Sequence, residues 1–334
     1  MEKKVMQDQW QEPKQSSDSY GGDDKAWKLV ETLAQSSLKE QRRSRRWGIF
    51  FKVLTFCWLF SLVGVIYTST KVSDITSSAS TGKHTALVEI DGQIGGGDVS
   101  ADTVVTGLRK AFEDKGTQAV ILRINSPGGS PVQSGYIYDE VRRLRGLHPD
   151  IKLYAVIMDI GASGGYYIAS AADEIYADKA SLVGSIGVIS SGFGFVEAMN
   201  VVGVTRRTYT SGENKAFLDP FQPVDKNAAA LWQTSLDTIH QQFIDAVKAG
   251  RGDRLVDNSN IFTGMVWSGE KAKELGLVDG LGSTGYVARE IVGEEDILDF
   301  TSRISPLEKF ARDFGAGVSA TMVKTLGANA LQLN

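Results

Sequence analysis

Two glycine-rich turns contain the residues whose types and spacing favour catalysis in this sequence. The first reads RINSPGGS over 123–130, and the second reads DIGASGGYYIASAAD over 159–173. Each follows an apolar run typical of a buried strand. Because functional groups collect at the carboxyl ends of strands in open α/β sheets, we expect the two turns to face each other.

Ser163 is the candidate nucleophile of the second turn. Only glycine and alanine flank it at 161, 162, 164 and 165, which leaves room for a substrate carbonyl. A helix that begins after the serine would present backbone N–H groups to an oxyanion. The alternative is that Ser163 only caps this helix, a position that serine favours. The turn alone leaves both interpretations open.

The glycine pair of the first turn is the candidate for a second oxyanion donor. Gly128 and Gly129 follow Pro127, and glycines can turn their N–H groups outward without a side-chain clash. A plain strand-to-helix turn is the alternative. A phosphate-binding loop is disfavoured, because neither turn matches the known phosphate-binding glycine patterns.

A serine nucleophile needs a base, and the sequence offers few. His84, His148 and His240 lie outside the glycine-rich turns, which disfavours a Ser-His-Asp triad. A lysine can act as the base where burial lowers the pKa of its amino group. Lys215 lies in a glycine-containing loop, TYTSGENKAFLDP. Taken alone, it is expected to be solvated, so the residues by themselves do not select the base.

The elements that must position these turns alternate between strands and helices, which predicts an α/β fold with parallel pairing. Apolar runs predict strands at 86–90, 119–124, 152–158, 174–177 and 183–189. Helical spacing is found at 104–112, at 137–144, after the second turn to about 172 and at 226–249. Residues 266–282 predict a helix that ends at Gly276, followed by a strand and a turn.

The N-terminal part predicts a membrane anchor. A polar tail over 1–46, with a short amphipathic stretch near Trp27, precedes the apolar run 47–67, and a Ser/Thr-rich linker follows over 68–83. The apolar run would rise about 31 Å as a helix, enough to cross a bilayer once. Basic residues cluster before it, so we expect a cytoplasmic N-terminus in the inner (cytoplasmic) membrane and an extracytoplasmic, in Gram-negative cells periplasmic, catalytic domain.

Composition excludes several other functions. The formal net charge of -4 gives no sign of nucleic-acid binding, and a single cysteine, Cys57, allows no intramolecular disulfide. No His/Cys cluster has the spacing of metal ligands, so a structural zinc site is not expected, and no motif of this sequence indicates a cofactor. We assign 84–300 to a catalytic domain and 301–334 to a C-terminal segment for packing or subunit contact.

Four blocks occur together in an order that is highly specific: NSPGG (125–129), ASGGYYIASAADEIYA (162–177), VGSIGV (183–188) and GLVDGLG (276–282). In these blocks the chain resembles the signal peptide peptidase A family of Ser–Lys membrane proteases. The resemblance covers roughly 84–295. It implies a Clp-protease/crotonase-like βαβ fold behind a single N-terminal transmembrane helix.

The resemblance also implies a role for individual residues. Ser163 would be the nucleophile, and Lys215, in the SGENK context, would be its base. Ser185 would orient the lysine ammonium, and the backbone N–H groups of Gly129 and Gly164 would bind the oxyanion. Val183 stands where many members have threonine, a peripheral departure.

The expected function is an endopeptidase that cleaves hydrophobic peptides such as remnant signal peptides. Members of this family assemble into homo-oligomeric rings or domes at the membrane, and shorter members place the serine and lysine of one site on neighbouring subunits. Clp-type peptidases instead use a histidine about 25 residues after the serine, where this chain has Val188. The alternatives are a crotonase-like acyl-thioester enzyme, for which no convincing CoA-binding site is present, and a catalytically inactive membrane scaffold.

Overall fold

The computed structural model describes residues 20–76, 82–97 and 99–303, and the chain divides into two compact units between 72 and 73. Helix α1 runs over Tyr20–Thr76, so it begins within the predicted tail and extends into the predicted linker. Within the described residues, no helix meets the combined requirement of length and apolarity for crossing a membrane. Part of the predicted anchor lies outside the residues whose side chains are described.

The second unit is built around one mainly parallel sheet. Its described strands are β1 (His84–Asp91), β2 (Thr117–Ser126), β3 (Lys152–Ala162), β4 (Glu174–Ala177), β5 (Leu182–Gly184), β6 (Val266–Ser268), β7 (Gly280–Leu281) and β8 (Ile297–Asp299). The order is β6-β5-β3-β2-β1-β8, and β4 pairs with both β3 and β7. Every pairing is parallel except β5–β6. The predicted α/β fold with parallel pairing is confirmed, and it fits a Clp-protease-like fold.

Helices alternate with these strands along the chain. They are α2 (Ala101–Glu113), α3 (Pro131–Leu147), α4 (Gly164–Ala169), α5 (Val196–Val202), α6 (Lys226–Arg251), α7 (Gly269–Glu274), α8 (Thr284–Tyr286) and a π-helical turn at Val287–Val292. Serine begins several of them: the Ser100 side chain caps α2, and the Ser130 side chain caps α3 ahead of Pro131.

The core lies on both faces of the sheet. Val88 and Leu122 point to the larger cluster, which also receives Leu108 from α2, whereas their neighbours Leu87 and Ile121 point to a smaller cluster. Strand residues alternate between the two faces of the sheet. A strand that is buried on both faces must therefore be apolar at almost every position. This explains the unbroken apolar run predicted as the second strand.

Three predicted boundaries are wrong near the second turn. Strand β3 continues to Ala162, and α4 ends at Ala169, before the predicted 172. The strand predicted over 183–189 stops at Gly184, because Ser185 adopts a positive φ of 52° that a strand cannot contain. The C-terminal segment 301–334 lies outside the described residues from position 304 onward.

Candidate active site

The end of β3 delivers Ser163 to the edge of the sheet. Strand β3 pairs first with β4 and then, through its last three residues, with β5. The backbone N–H of Ser163 donates to the carbonyl of Gly184 at 2.8 Å, which continues this pairing by one residue. The chain then turns at once into α4, so the serine stands between a strand and a helix, as predicted.

Ser163 itself has a strained backbone. Its φ of 51° and ψ of -123° lie in a region that non-glycine residues rarely occupy, at a cost of roughly 1–3 kcal/mol. It occupies the N-cap position of α4, yet its side chain makes no capping hydrogen bond. The capping alternative therefore finds no support, and the hydroxyl is left available for another partner.

The two glycine-rich turns meet at Ser163, as predicted. A Cβ placed on Gly128 would lie 2.7 Å from the Cβ of Ser163, and one on Gly129 would lie 2.0 Å from the carbonyl oxygen of Ile94. The φ values of the two glycines are 104° and 150°. No side chain fits at either position, which is the physical reason for the glycine pair.

Two backbone amides lie close together beside the serine. A Cβ on Gly164 would be 3.4 Å from the amide nitrogen of Gly129 and 2.4 Å from the hydroxyl of Ser134. Among the described residues, neither the Gly129 nor the Gly164 N–H donates a hydrogen bond within the chain. Free donors of this kind can bind the oxyanion that forms in acyl transfer.

A cavity of about 50 Å³ opens next to these amides. It is lined by Gly129, Pro131, Ser134, Ser163, Gly164, Tyr167, Gly187, Val188, Ile239, Gln242 and Phe243. No residue of this lining carries a formal charge, and burial raises the pKa of the Tyr167 phenol, which keeps it protonated at neutral pH. The apolar walls suit an apolar side chain.

Ser185 lies next to the turn that carries Ser163, one residue after Gly184. Its N–H donates to the carbonyl of Met265 at 2.7 Å, and its positive φ redirects the chain after β5. It follows Gly184, whose carbonyl binds the amide of Ser163. Ser185 is therefore next to the turn but does not line the cavity.

Lys215 lies elsewhere in the chain. It is exposed, in a loop between α5 and α6, and it lines a second cavity of about 480 Å³ that shares no residue with the cavity at Ser163. The structure thus brings Ser163, Gly129 and Gly164 together, with Ser185 adjacent, whereas Lys215 lines a different cavity of the same chain.

The three histidines have other partners. His84 is buried, with its ring near the Thr117 hydroxyl and the Asp114 carboxylate, and His148 caps the end of α3. The Nε2 of His240 lies 3.1 Å from the carbonyl oxygen of Ile186. None of the three lines the cavity at Ser163.

Sequence reasoning missed part of the cavity wall. Ser134, Tyr167 and Gln242 were not predicted as site residues, and Ile239 and Phe243 belong to the helix predicted over 226–249, whose apolar spacing gave no sign of a site. An apolar stripe has the same spacing whether it packs into a core or lines a cavity. Nothing in the spacing of these residues would have found them.

The fold and site place the chain among α/β proteins whose sheet presents a serine beside an amide-lined cavity. A model of peptidase family S49 matches residues 147–297, a stretch that contains Ser163, Ser185 and Lys215 but not Gly129. The Na⁺/H⁺ antiporter NhaA of Brucella melitensis is 48% identical over 188 residues, which are 56% of this chain and 25% of the antiporter. This chain therefore spans a quarter of that relative's length.

Two further relatives are named as proteases. A putative signal peptide peptidase SppA of Enterococcus faecium is 32% identical, covering 59% of this chain and 57% of that protein. A putative protease of Synechocystis is 35% identical, covering 61% of this chain and 72% of that protein. The chain belongs to peptidase family S49, the signal peptide peptidase A family.

Proposed function

We propose that this chain is a serine endopeptidase with Ser163 as nucleophile and Lys215 as general base. The observation that carries the proposal is the Ser163 hydroxyl, which makes no capping bond and lies beside two unbonded amides on a strained turn. Strain of this kind is found at active sites, where it holds a group in its reactive position. Membership of a peptidase family supports the same assignment.

In the proposed reaction, neutral Lys215 accepts the hydroxyl proton as the Oγ of Ser163 attacks the scissile carbonyl carbon. The N–H groups of Gly129 and Gly164 donate to the oxyanion. The lysine then gives the proton to the leaving amine, and an acyl-enzyme forms. Water, deprotonated by the same lysine, then attacks the acyl carbon. The bond between that carbon and the Oγ of Ser163 breaks, the lysine ammonium returns its proton to Oγ, and the acyl product leaves as a carboxylic acid. Ser185 orients the lysine ammonium.

We further propose that the serine and lysine of one site come from neighbouring copies in a homo-oligomer. Lys215 and Ser163 line different cavities of one chain, which supports pairing between chains. The segment 186–225 also exposes large apolar side chains, among them Phe193 at 82% and Tyr209 at 92%. Exposed apolar surface of this extent is typical of a protein–protein contact.

The proposed substrates are hydrophobic peptides such as remnant signal peptides. The apolar cavity beside Ser163 and the name of the Enterococcus relative support this class. We also propose that 47–67 anchors the chain in the inner membrane, with the catalytic domain extracytoplasmic. Hydropathy and the basic residues before this run support the anchor. The protein should therefore stay in the membrane pellet after alkaline carbonate extraction, and its release would reject the anchor.

Mixed oligomers test the shared site. Ser163→Ala and Lys215→Ala subunits are co-expressed in equal amounts, and hydrolysis of an apolar peptide is measured in detergent. A working site needs the serine of one variant and the lysine of the other, so about a quarter of the sites in a randomly mixed ring should be active. Each variant alone should be inactive.

The control replaces the Lys215→Ala subunit with the Ser163→Ala/Lys215→Ala double variant, which cannot supply a serine. No recovery is expected there. Verified mixed oligomers without recovered hydrolysis would reject the shared site but leave the Ser–Lys chemistry untouched. Wild-type turnover by Lys215→Met, compared with the exposed-lysine control Lys226→Met, would reject the base.

A further inference from the structure

The loop that carries Lys215 also holds a mostly buried carboxylate. The Asp219 side chain is 9% exposed and accepts a hydrogen bond from the Nε of Arg206 at 3.1 Å and from the N–H of Phe221 at 3.0 Å. The Thr208 hydroxyl lies 3.5 Å from the same carboxylate. The bond from Phe221 and the pairing with Arg206 lower the pKa of Asp219 despite burial, so this group is ionised at neutral pH.

Arg206 is fixed from a second side. Its guanidinium lies 5.4 Å from the centre of the Phe221 ring, and Phe221 stacks on Phe195 at 5.3 Å. The N–H of Phe195 donates to the carbonyl of Pro220 at 2.7 Å, which closes this small cluster. The cation is therefore held at the carboxylate by contacts of its own.

Lys215 lines the same cavity as this ion pair. Arg206, Lys215 and Asp219 are the charged residues of its lining, and the exposed neighbours Arg207 and Glu213 do not belong to it. Successive backbone hydrogen bonds, including Lys215 N–H to Gly212 and Asp219 N–H to Ala216, wind the loop into helix-like turns. Lys215 and Asp219 are four residues apart in this loop and line one cavity, so the ammonium and the carboxylate can approach each other.

We propose that Arg206 is a positioning residue for the base: Arg206 occupies the Asp219 carboxylate and so keeps it from pairing with Lys215. The inference rests on the proposed function, in which Lys215 must lose its proton. A carboxylate within about 4–6 Å of an ammonium favours the protonated form by roughly 1–3 pH units. A lysine paired with Asp219 would therefore be unable to act as a base at neutral pH.

The test is the pH dependence of kcat/KM for an internally quenched peptide rich in leucine and alanine. The full-length protein in detergent is compared with Arg206→Met and with Arg206→Lys, which keeps the charge. Arg206→Met should move the midpoint of the acid limb upward by about one pH unit or more. Below the midpoint this lowers kcat/KM by about tenfold, and the plateau at high pH should not change. Arg206→Lys should leave the midpoint near that of the wild type.

The double variant Arg206→Met/Asp219→Asn makes the test specific. Once the carboxylate is neutral, nothing remains to hold the lysine proton, and the midpoint should return to the wild-type value. A purely structural ion pair predicts lower activity at every pH with an unmoved midpoint, and a double variant no better than the single one. Either result would overturn the inference.

Lys215→Met in the same assay separates this inference from the proposed function. If Lys215→Met is inactive and Arg206→Met leaves the midpoint unmoved, the inference alone is wrong. If Lys215→Met keeps its activity, the base assignment fails, and the inference fails with it. Arg206 is 50% exposed, so its replacement should fold, and Arg206→Gln gives the same test if Arg206→Met does not.

Discussion

Around Ser163 the backbone has almost no freedom, whereas the segment that carries Lys215 packs little against the rest of its own chain. The turn at Ser163 is held by β5 on one side and by the glycine pair on the other, at distances that exclude any further side chain. In 186–225, by contrast, α5 buries none of its residues and many large apolar side chains are exposed.

The two regions supply different parts of the proposed reaction. Oxyanion donors must be fixed to within about half an ångström, and only the covered sheet provides such rigidity. A lysine has a long side chain, so Lys215 can reach the serine of a neighbouring subunit even from an exposed loop. This contrast supports the proposal that one chain completes the nucleophile side of the site and a neighbouring copy completes the base side.

Replacing the nucleophile should have the largest effect. Ser163→Ala should lower hydrolysis of an apolar peptide by roughly a thousandfold or more, because it removes the oxygen that would attack the scissile carbonyl carbon. The thermal unfolding midpoint should stay close to that of the wild type, since alanine is smaller. Ser191→Ala, in the exposed segment, is the matched control and should keep full activity. Wild-type turnover by Ser163→Ala would disprove the nucleophile assignment.

Disturbing the oxyanion turn should have the next largest effect. The Cβ of Gly164→Ala would lie 2.4 Å from the hydroxyl of Ser134, so that residue or the turn must move. A displacement of about 1 Å can cost roughly a hundredfold in rate, and we expect a loss of that order in kcat.

The second variant Ser134→Ala removes the clashing oxygen. The double variant Gly164→Ala/Ser134→Ala should regain most of the kcat that Gly164→Ala loses, measured at saturating peptide. A double variant as slow as Gly164→Ala would mean that the close contact does not set the position of the amide.

The sequence predicts the rigid region better than the exposed one. Strand 119–124 was predicted from its unbroken apolar run, and the glycine cluster at 161–165 marked the turn that carries Ser163. Both signals are local. The end of β5 at Gly184 depends on the φ of Ser185, which no apolar pattern reveals.

Contacts between residues far apart in sequence were not predictable. Asp173 and Asp279 lie in two recognised blocks, but their role is structural: Asp173 pairs with Arg145, and Asp279 pairs with Arg251 and Arg254. These partners are tens of residues apart, so no spacing signal marks them.

Removing one of these carboxylates should affect stability and leave the chemistry unchanged. Arg251 is 1% exposed and makes two hydrogen bonds to Asp279, so Asp279→Asn leaves a buried cation without its counter-charge. We expect a loss of about 3 kcal/mol in the free energy of unfolding, with kcat of the folded protein unchanged. The matched control is Glu290→Gln, which breaks an exposed pair with Arg289 and should cost less than about 1 kcal/mol.

The same pair predicts a pH dependence of stability. Burial opposes ionisation of Asp279, but the hydrogen bond and charge of Arg251 outweigh it and lower the pKa of this group. Its contribution is therefore present above the ordinary carboxyl pKa near 4 and is lost as the pH falls below it. Urea unfolding of Asp279→Asn should depend less on pH in this acid range than that of the wild type. Parallel pH curves would contradict the assigned pairing.

The smallest effect is expected when His240 is replaced. This variant tests the alternative that a histidine, and not Lys215, is the base. Its Nε2 lies 3.1 Å from the carbonyl of Ile186, just before the cavity residues Gly187 and Val188, so it is the histidine best placed to influence the site. His240→Gln keeps a donor for that carbonyl, and kcat/KM should stay within about threefold of the wild type, with the same pH midpoint. A Ser–His mechanism predicts instead a loss of roughly a thousandfold and an altered pH midpoint, because the base would be gone. That result would reject a base in the segment 186–225. The general base would then lie on the helix that lines the cavity at Ser163, within the same chain.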